Sequence, residues 1–480
     1  MTARTRALWP TLVLACLAQF MVILDVSVVN VALPSIRTAL HFSQQDLSWI
    51  VNAYTILFGG FLLLGGRAAD LLGRRRVFVG GLLLFALASL AGGLAEGHAM
   101  LIAARAAQGL GAAVIAPASL SILTTTFREG PERDRALGAW GAMGGAGGSA
   151  GVLLGGMLTD LLSWRWILFI NVPIALATAL GSLRYVAEGR NPGRARSFDL
   201  AGALTATLGL MALVYAVVRT DVHGWGSAET LGTMTVAAAL IATFLAIEGR
   251  FARAPLMPLR IFASRMLSGA NAVVFTLGAA MFAMWFFVSL YLQQVLGYSP
   301  LKAGFAFLPM TIAIIIGSAL ASRAVARVGV KPLLAAGMLI QAAGLLLFTT
   351  IDANGTYLAD VALPSMVVAV GIGLSFVPVT IAGVAGVAGE EAGLASGLVN
   401  TSRLVGGALG LALLSTLATS RTHDVLASGA GGLHVALVDG FHVAFYVGAG
   451  FALAGALVTL AVLRQARPRG AAQAQAEAAG

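Results

Sequence analysis

Two groups of ionisable side chains stand out in an otherwise apolar chain. Asp25 lies inside one long hydrophobic run, and Arg105 lies inside another with Gln108 three residues on. A charge in the middle of an apolar helix is costly unless it is paired or hydrated. Asp25 sits roughly 12 Å and Arg105 roughly 9 Å from the same-side ends of their runs, at 1.5 Å of rise per residue. An acid and a base at matching depth can share a cavity, and protonating the acid breaks the pair. The chemistry is proton binding and release, not bond making. A static tether between helices, or an arginine reaching out to headgroups, uses the same residues without a coupling role.

The second group is Gly66 to Arg76, GRAADLLGRRR. One acid, Asp70, and four arginines (Arg67, Arg74, Arg75 and Arg76) crowd into a turn flanked by Gly66 and Gly73. The pattern reads as a conformational latch in which Asp70 is the switching charge. The arginines alone serve equally as orientation signals, and near a surface they attract anionic lipid by about 1 kcal/mol each.

Other polar residues fall inside apolar runs. Arg403, with Asn400 and Ser402 beside it, faces either a cavity or the carbonyls at helix ends. Asn30, Asn52, Tyr54, Gln108, Tyr291, Gln294, Asn400 and Arg403 are candidates for lining a substrate cavity. Each serves interhelical hydrogen bonding as readily. Nine glycines between 138 and 156, among them Gly151, Gly155 and Gly156, suit close helix packing.

The elements that position these residues follow from composition. The 480 residues are 59% hydrophobic and 10% charged, against roughly 25% charged in a soluble domain. Apolar runs long enough to cross a membrane recur fourteen times. The loops between them leave no room for a large soluble domain. Of the 30 Lys and Arg residues, 23 fall in segments on one side and five on the other. That asymmetry places both termini in the cytoplasm of a multi-pass plasma (inner) membrane protein. It also accounts for the net charge of +10 without nucleic acid. The single cysteine, Cys16, excludes an intramolecular disulfide, and the six histidines lack metal-site spacing. The N-terminal run reads as an uncleaved first span.

GRAADLLGRRRV before the third run is echoed by SRAVARVGVKPL before the eleventh, with Ala326 in place of Asp70. Runs five and thirteen are both glycine-rich. Two copies of a six-helix bundle are therefore expected, a transporter plan with the substrate path at the repeat interface. The divisions are 1–187 for the first bundle, 188–267 for a linker with two added spans, 268–463 for the second bundle, and 464–480 for a disordered tail.

Several stretches resemble the major facilitator superfamily, in particular its fourteen-span drug:proton antiporter branch. They are LDVSVVNVALP (Leu24–Pro34), GRAADLLGRRR, RAAQGLGAA (Arg105–Ala113), SWRWILFINVP (Ser163–Pro173) and GLASGLVNTSRLVGGALG (Gly393–Gly410). In the fifth span this chain reads Gly151-Val152-Leu153-Leu154-Gly155-Gly156, lacking the proline of the branch's pattern. The resemblance implies an all-α fold of fourteen transmembrane helices, proton handling at Arg105, and a latch at Asp70. It implies export of a hydrophobic or amphipathic drug or natural product by alternating access, as a monomer.

The expected partners are that small molecule, protons and membrane lipids. No cofactor is expected, the proton gradient being the energy source, and no P-loop offers ATP as an alternative. No nucleophile–base pair suggests an enzyme. With Asp25 as the single membrane carboxylate, one coupling proton and a neutral or monocationic substrate fit best. The competing reading is a facilitator or proton symporter for a small polar metabolite.

Overall fold

The computed structural model describes residues 3–44, 46–127, 131–189, 199–252, 255–385, 387, 392–429 and 431–463. The expected tail, 464–480, lies outside them. Lipid supplies no hydrogen bonds to a backbone, so a spanning segment must satisfy its own polar groups, and long apolar runs fold as helices. The described residues are helices and short connections, without strands.

The elements in order are α1 (Ala3–Leu40), α2 (Ser48–Leu72), α3 (Arg74–Gly93), α4 (His98–Thr126), α5 (Pro131–Leu161), a single turn α6 (Trp166–Phe169), α7 (Asn171–Tyr185), α8 (Leu200–His223) and α9 (Ala228–Ala246). After these come α10 (Arg265–Leu290), α11 (Pro300–Ala306), α12 (Leu308–Val328), α13 (Val330–Leu347), α14 (Leu363–Val384), α15 (Ala392–Ser428) and α16 (Leu433–Val462). Among the described residues, 13 helical stretches are long and apolar enough to cross a membrane, α11 and α12 forming one of them. The glycine-rich α5, 31 residues long, has the length of a fourteenth.

Three boundaries differ from the sequence reading. α1 runs past Pro34 to Leu40, because an internal proline removes one helical hydrogen bond without ending a membrane helix. Asp25 therefore lies about 22 Å of helix from that end, not roughly 12 Å. The tenth apolar run is not one helix but is interrupted at Phe307, between α11 and α12. α15 continues to Ser428 although seven of its last ten residues are polar. There Thr422 donates to the Ala418 carbonyl at 2.9 Å, and Arg421 pairs with Asp439 of α16 at 3.2 Å.

The chain divides into two compact units. One comprises Met1–Pro258 with Leu292–Leu308, the other Leu259–Tyr291 with Pro309–Gly480. In the first, α1 packs on α5, α2 on α4 and α8, α3 on α4 and α7, and α5 on α11. In the second, α10 packs on α15 and α16, and α13 on α14 and α16. The repeat is visible in their parts. α1 meets α5 through Gly147, Gly151 and Gly155, as α10 meets α15 through Gly406 and Gly410. The turn after α2 bends at Gly73 with φ 107°, and the turn after α12 bends at Gly329 with φ 90°. Both angles are ones that only glycine adopts without strain.

Candidate functional site

Side chains from α1, α2, α3, α4 and α7 of the first unit gather around one carboxylate, and glycines set the approach of α4 to α2 and of α5 to α1. Gly109 lets α4 lie against the backbone of Tyr54 on α2, where a Cβ would strike the Tyr54 carbonyl. Arg105, one turn earlier on α4, thereby lies under the Tyr54 ring, its guanidinium carbon 4.4 Å from the centroid. On the other flank, Gly151 and Gly155 seat α5 on Ser27 and Val28, just beyond Asp25 on α1.

Asp25 is fully buried, and both of its oxygens are engaged. Oδ2 accepts from Arg105 Nη1 at 2.5 Å. Oδ1 accepts from Asn171 Nδ2 at 2.7 Å and from Gln108 Nε2 at 3.1 Å. Arg105 also donates to Gln108 Oε1 at 2.9 Å and, through Nε, to the Ile50 carbonyl at 3.1 Å. Gln108 Nε2 reaches Ser89 Oγ on α3 at 2.7 Å. Arg105, Gln108, Asn171, Ser89 and Tyr54 are all buried. A carboxylate held by a guanidinium and two amides is a neutralised, hydrogen-bonded pair in a low-dielectric core. Adding a proton to Asp25 cancels its charge and leaves Arg105 with hydrogen bonds but no counter-charge.

Asn171 and Ser89 are participants that the sequence reading did not single out. Asn171 opens α7, and the segment before it is anchored at Arg165. That arginine donates to the carbonyls of Gly93 and Ala95 at the end of α3, at 2.8 and 2.7 Å. Asn171 stands in SWRWILFINVP without a charge to set it apart from the polar residues of other helices.

At the far end of α2 lies the arginine-rich turn. Of Asp70 only the backbone, within α2, is described, so its side chain lies outside the described residues. Gly66 faces Pro117 of α4 at 3.4 Å. Arg74 N donates to the Gly189 carbonyl at 3.2 Å, and Arg75 Nη1 to the Val186 carbonyl at 3.5 Å. Glu188, also absent from the sequence reading, pairs with Arg75 at 3.7 Å and Arg76 at 3.5 Å. The turn thus grips the segment that leaves α7. Leu8, Arg74, Ile122, Thr125, Thr126 and Ala187–Gly189 line a cleft there.

In the second unit, Arg403 Nη2 donates to Asn400 Oδ1 at 2.7 Å, one turn back on α15. Its neighbour Ser402 donates to Asn271 Oδ1 of α10 at 2.7 Å. Gly278 of α10 abuts the Arg403 carbonyl. Tyr291 is buried, with its hydroxyl donating to the Asp352 carbonyl at 2.8 Å.

The profile of the Major Facilitator Superfamily matches residues 15–411. The chain belongs to this superfamily. It is 42% identical over 474 residues to the cephamycin export protein CmcT of Amycolatopsis lactamdurans, covering 98% of this chain and 96% of that one. It is 41% identical to the puromycin resistance protein pur8 of Streptomyces alboniger, covering 95% and 90%. The crystal structure of the POT family transporter PepTSo superposes with a TM-score of 0.69 at 14% identity, over 94% of this chain and 97% of that one. That likeness is one of fold. The apolar helices and the superfamily together make this a multi-pass membrane protein and a transporter.

Within this superfamily member, the candidate cavity residues separate into two kinds. Tyr54 and Gln108 belong to the Asp25 core, Tyr291 holds a loop, and Asn400 is engaged by Arg403. Asn30 donates to the Val26 carbonyl of its own helix at 3.2 Å. Asn52 and Gln294, both in the first unit, differ: neither amide atom of either residue has a hydrogen-bond partner among the described residues. Gly156 of α5 meets Pro300 and Leu301 of α11, extending the glycine stripe beyond α1.

Proposed function

We propose that this superfamily member exports a hydrophobic or amphipathic natural product or drug in exchange for protons, by alternating access. Export is supported by the relatives, whose names are cephamycin export and puromycin resistance proteins. Proton coupling rests on one observation: the buried Asp25 carboxylate hydrogen-bonded to Arg105. Asp25 is the proton carrier in this reading. Its protonation frees Arg105 and shifts the equilibrium between the two access states, because a proton that binds one state better must favour that state.

In this reading both termini and the Gly73 turn lie on the cytoplasmic side of the plasma membrane, which the excess of basic residues in those loops supports. Asp70 and the arginines of the turn act there as a latch, and Arg74 to Arg76 also meet anionic lipid. Asn52 and Gln294 are the residues proposed to contact substrate, since their amides have hydrogen-bonding capacity to spare. The working unit is a monomer.

The test is uptake of a panel of dyes and antibiotics into inside-out vesicles, with and without an imposed pH gradient. Wild-type vesicles accumulate substrate only with the gradient, and a protonophore collapses the accumulation. Asp25→Asn vesicles retain equilibrative exchange but do not accumulate. Gradient-driven accumulation by Asp25→Asn would overturn the coupling role, and uptake indifferent to the gradient in wild type would favour a facilitator.

A further inference from the structure

The two units treat their membrane arginines differently. In the first, Arg105 meets the Asp25 carboxylate, the Gln108 amide, the Ile50 carbonyl and the Tyr54 ring. In the second, Arg403 lies about 16 Å along α15 from its start at Ala392, within a stretch long and apolar enough to span a membrane. Its guanidinium carries five N–H donors. Among the described residues one acceptor meets them, Asn400 Oδ1 at 2.7 Å, and no carboxylate does.

The neighbouring groups cannot supply the missing charge. Ser402 is committed to Asn271 Oδ1 of α10, and Asn271 Nδ2 to the Leu267 carbonyl. Asp439 pairs with Arg421, and Asp424 stands 21 residues further along α15, about 30 Å of rise. Asp352 and Asp360 accept from backbone N–H groups of their own loop. Glu390 and Glu391 lie outside the described residues. A cation in an apolar bundle is stabilised by an anion or by water. Among the described residues this chain gives Arg403 no anion of its own.

The surface around Arg403 is amphipathic. Asn400, Arg403 and Gly407 follow one another at helical spacing on one face of α15. Gly407 leaves that face bare, and the Phe282 ring of α10 lies over it, where a Cβ would stand 2.8 Å from two ring carbons. An amide, a guanidinium and an aromatic ring thus follow one another within the second unit. A planar guanidinium matches a carboxylate with two parallel hydrogen bonds, and an aromatic wall takes an apolar body.

We propose that Arg403 binds the carboxylate of the exported molecule, so that the substrate class is an amphipathic organic anion. The inference rests on the export reading above and narrows it. The guanidinium takes the carboxylate oxygens, Asn400 Oδ1 steadies the guanidinium, and the apolar body of the molecule lies on Phe282. The count of membrane acids pointed to a neutral or monocationic substrate. What each membrane arginine meets points the other way, since Arg105 has its acid and Arg403 has none among the described residues.

The experiment uses full-length protein in phosphatidylcholine nanodiscs without a pH gradient. Thermal unfolding is followed with 2-naphthoate, deoxycholate and decanoate, each beside its methyl ester. The acids should raise the wild-type midpoint by several degrees and the esters should not. Arg403→Gln, which keeps an amide donor for Asn400, should weaken acid binding about thirtyfold or more. Arg403→Lys, which keeps the charge without the fork, should retain part of it. Without ligand, the Arg403→Gln midpoint should equal or exceed that of wild type, because an uncompensated cation has been removed. Equal shifts from acids and esters in wild type, or acid shifts undiminished in Arg403→Gln, overturn the proposal. An unliganded Arg403→Gln midpoint several degrees below wild type does so too, by making Arg403 a tether between helices. So does a rise with added phosphatidylglycerol that Arg403→Gln abolishes, with no response to the acids, which assigns the guanidinium to a lipid phosphate. Acid binding that needs Arg403 in a chain that fails to export supports the site and counts against the exchange reading alone.

Discussion

Asn171 donates to the Asp25 oxygen that Arg105 leaves free: Nδ2 to Oδ1 at 2.7 Å, opposite the guanidinium on Oδ2. The first residue of α7 thereby holds the carboxylate against α4. A hydrogen bond to a charged group contributes about 1.5–3 kcal/mol. Asn171→Leu is therefore expected to destabilise the purified protein by that amount, as read by thermal or denaturant unfolding. Asn171→Asp, which sets a second acid against Asp25, should abolish gradient-driven uptake. Uptake by Asn171→Asp equal to wild type would remove Asn171 from the site.

The Asp25–Arg105 pair predicts a non-additive double variant. Removing one partner of a buried pair strands the other charge and costs about 3–5 kcal/mol. Arg105→Gln and Asp25→Asn should each lower stability by that order. Asp25→Asn with Arg105→Gln should recover most of the loss, because no charge is left unpaired. Gradient-driven uptake should stay absent in all three. Unfolding of the three variants beside wild type gives the interaction energy directly.

What could be read from the sequence was decided by contrast. Asp25 and Arg105 are conspicuous because a charge in an apolar run has few explanations. Asn171 and Ser89 carry no charge, so nothing in the sequence separates them from other polar residues that bond their own helix, as Asn30 does. Glu188 was hidden differently: it follows α7 in a polar segment, and only the fold brings it onto Arg75 and Arg76. The glycines of α5 were legible as a packing face, but not which neighbour each meets. Gly151 and Gly155 take α1, whereas Gly156 takes α11. The break at Phe307 does have a sequence signal in Pro309, which removes the hydrogen bond to the Phe305 carbonyl and so distorts the helix on its N-terminal side.

That division of labour on α5 can be tested within one helix. A Cβ on Gly151 would lie 2.6 Å from Ser27 Cβ and 2.9 Å from the Leu24 carbonyl; one on Gly155 would lie 2.7 Å from the Val28 carbonyl. Backbone atoms cannot move aside, so Gly151→Ala and Gly155→Ala must push α1 and α5 apart. Overpacking of this kind costs about 1–3 kcal/mol. Gly138 and Gly141 on the same helix face open space. Gly138→Ala and Gly141→Ala should be neutral, or stabilise by about 0.5–1 kcal/mol through helix propensity. Unfolding and uptake should fall together for the first pair and for neither of the second.

The arginine-rich turn sets backbone against charge as the source of its integrity, and the magnitudes favour backbone. Glu188 pairs with Arg75 and Arg76 at 3.7 and 3.5 Å, and the Arg76 side chain is 65% exposed. Exposed pairs of this geometry contribute about 0–1 kcal/mol. Gly73 has φ 107° and faces the Glu188 carboxylate where a side chain would go. An L-residue forced into that region costs about 1–2 kcal/mol before any clash. Gly73→Ala should therefore lower stability and uptake more than Glu188→Gln. Combining Gly73→Ala with Glu188→Gly, which clears the carboxylate, should recover the steric part and leave the backbone part. Equal loss in Gly73→Ala and Glu188→Gln, measured by unfolding at low and high salt, would show instead that the ion pairs hold the turn together.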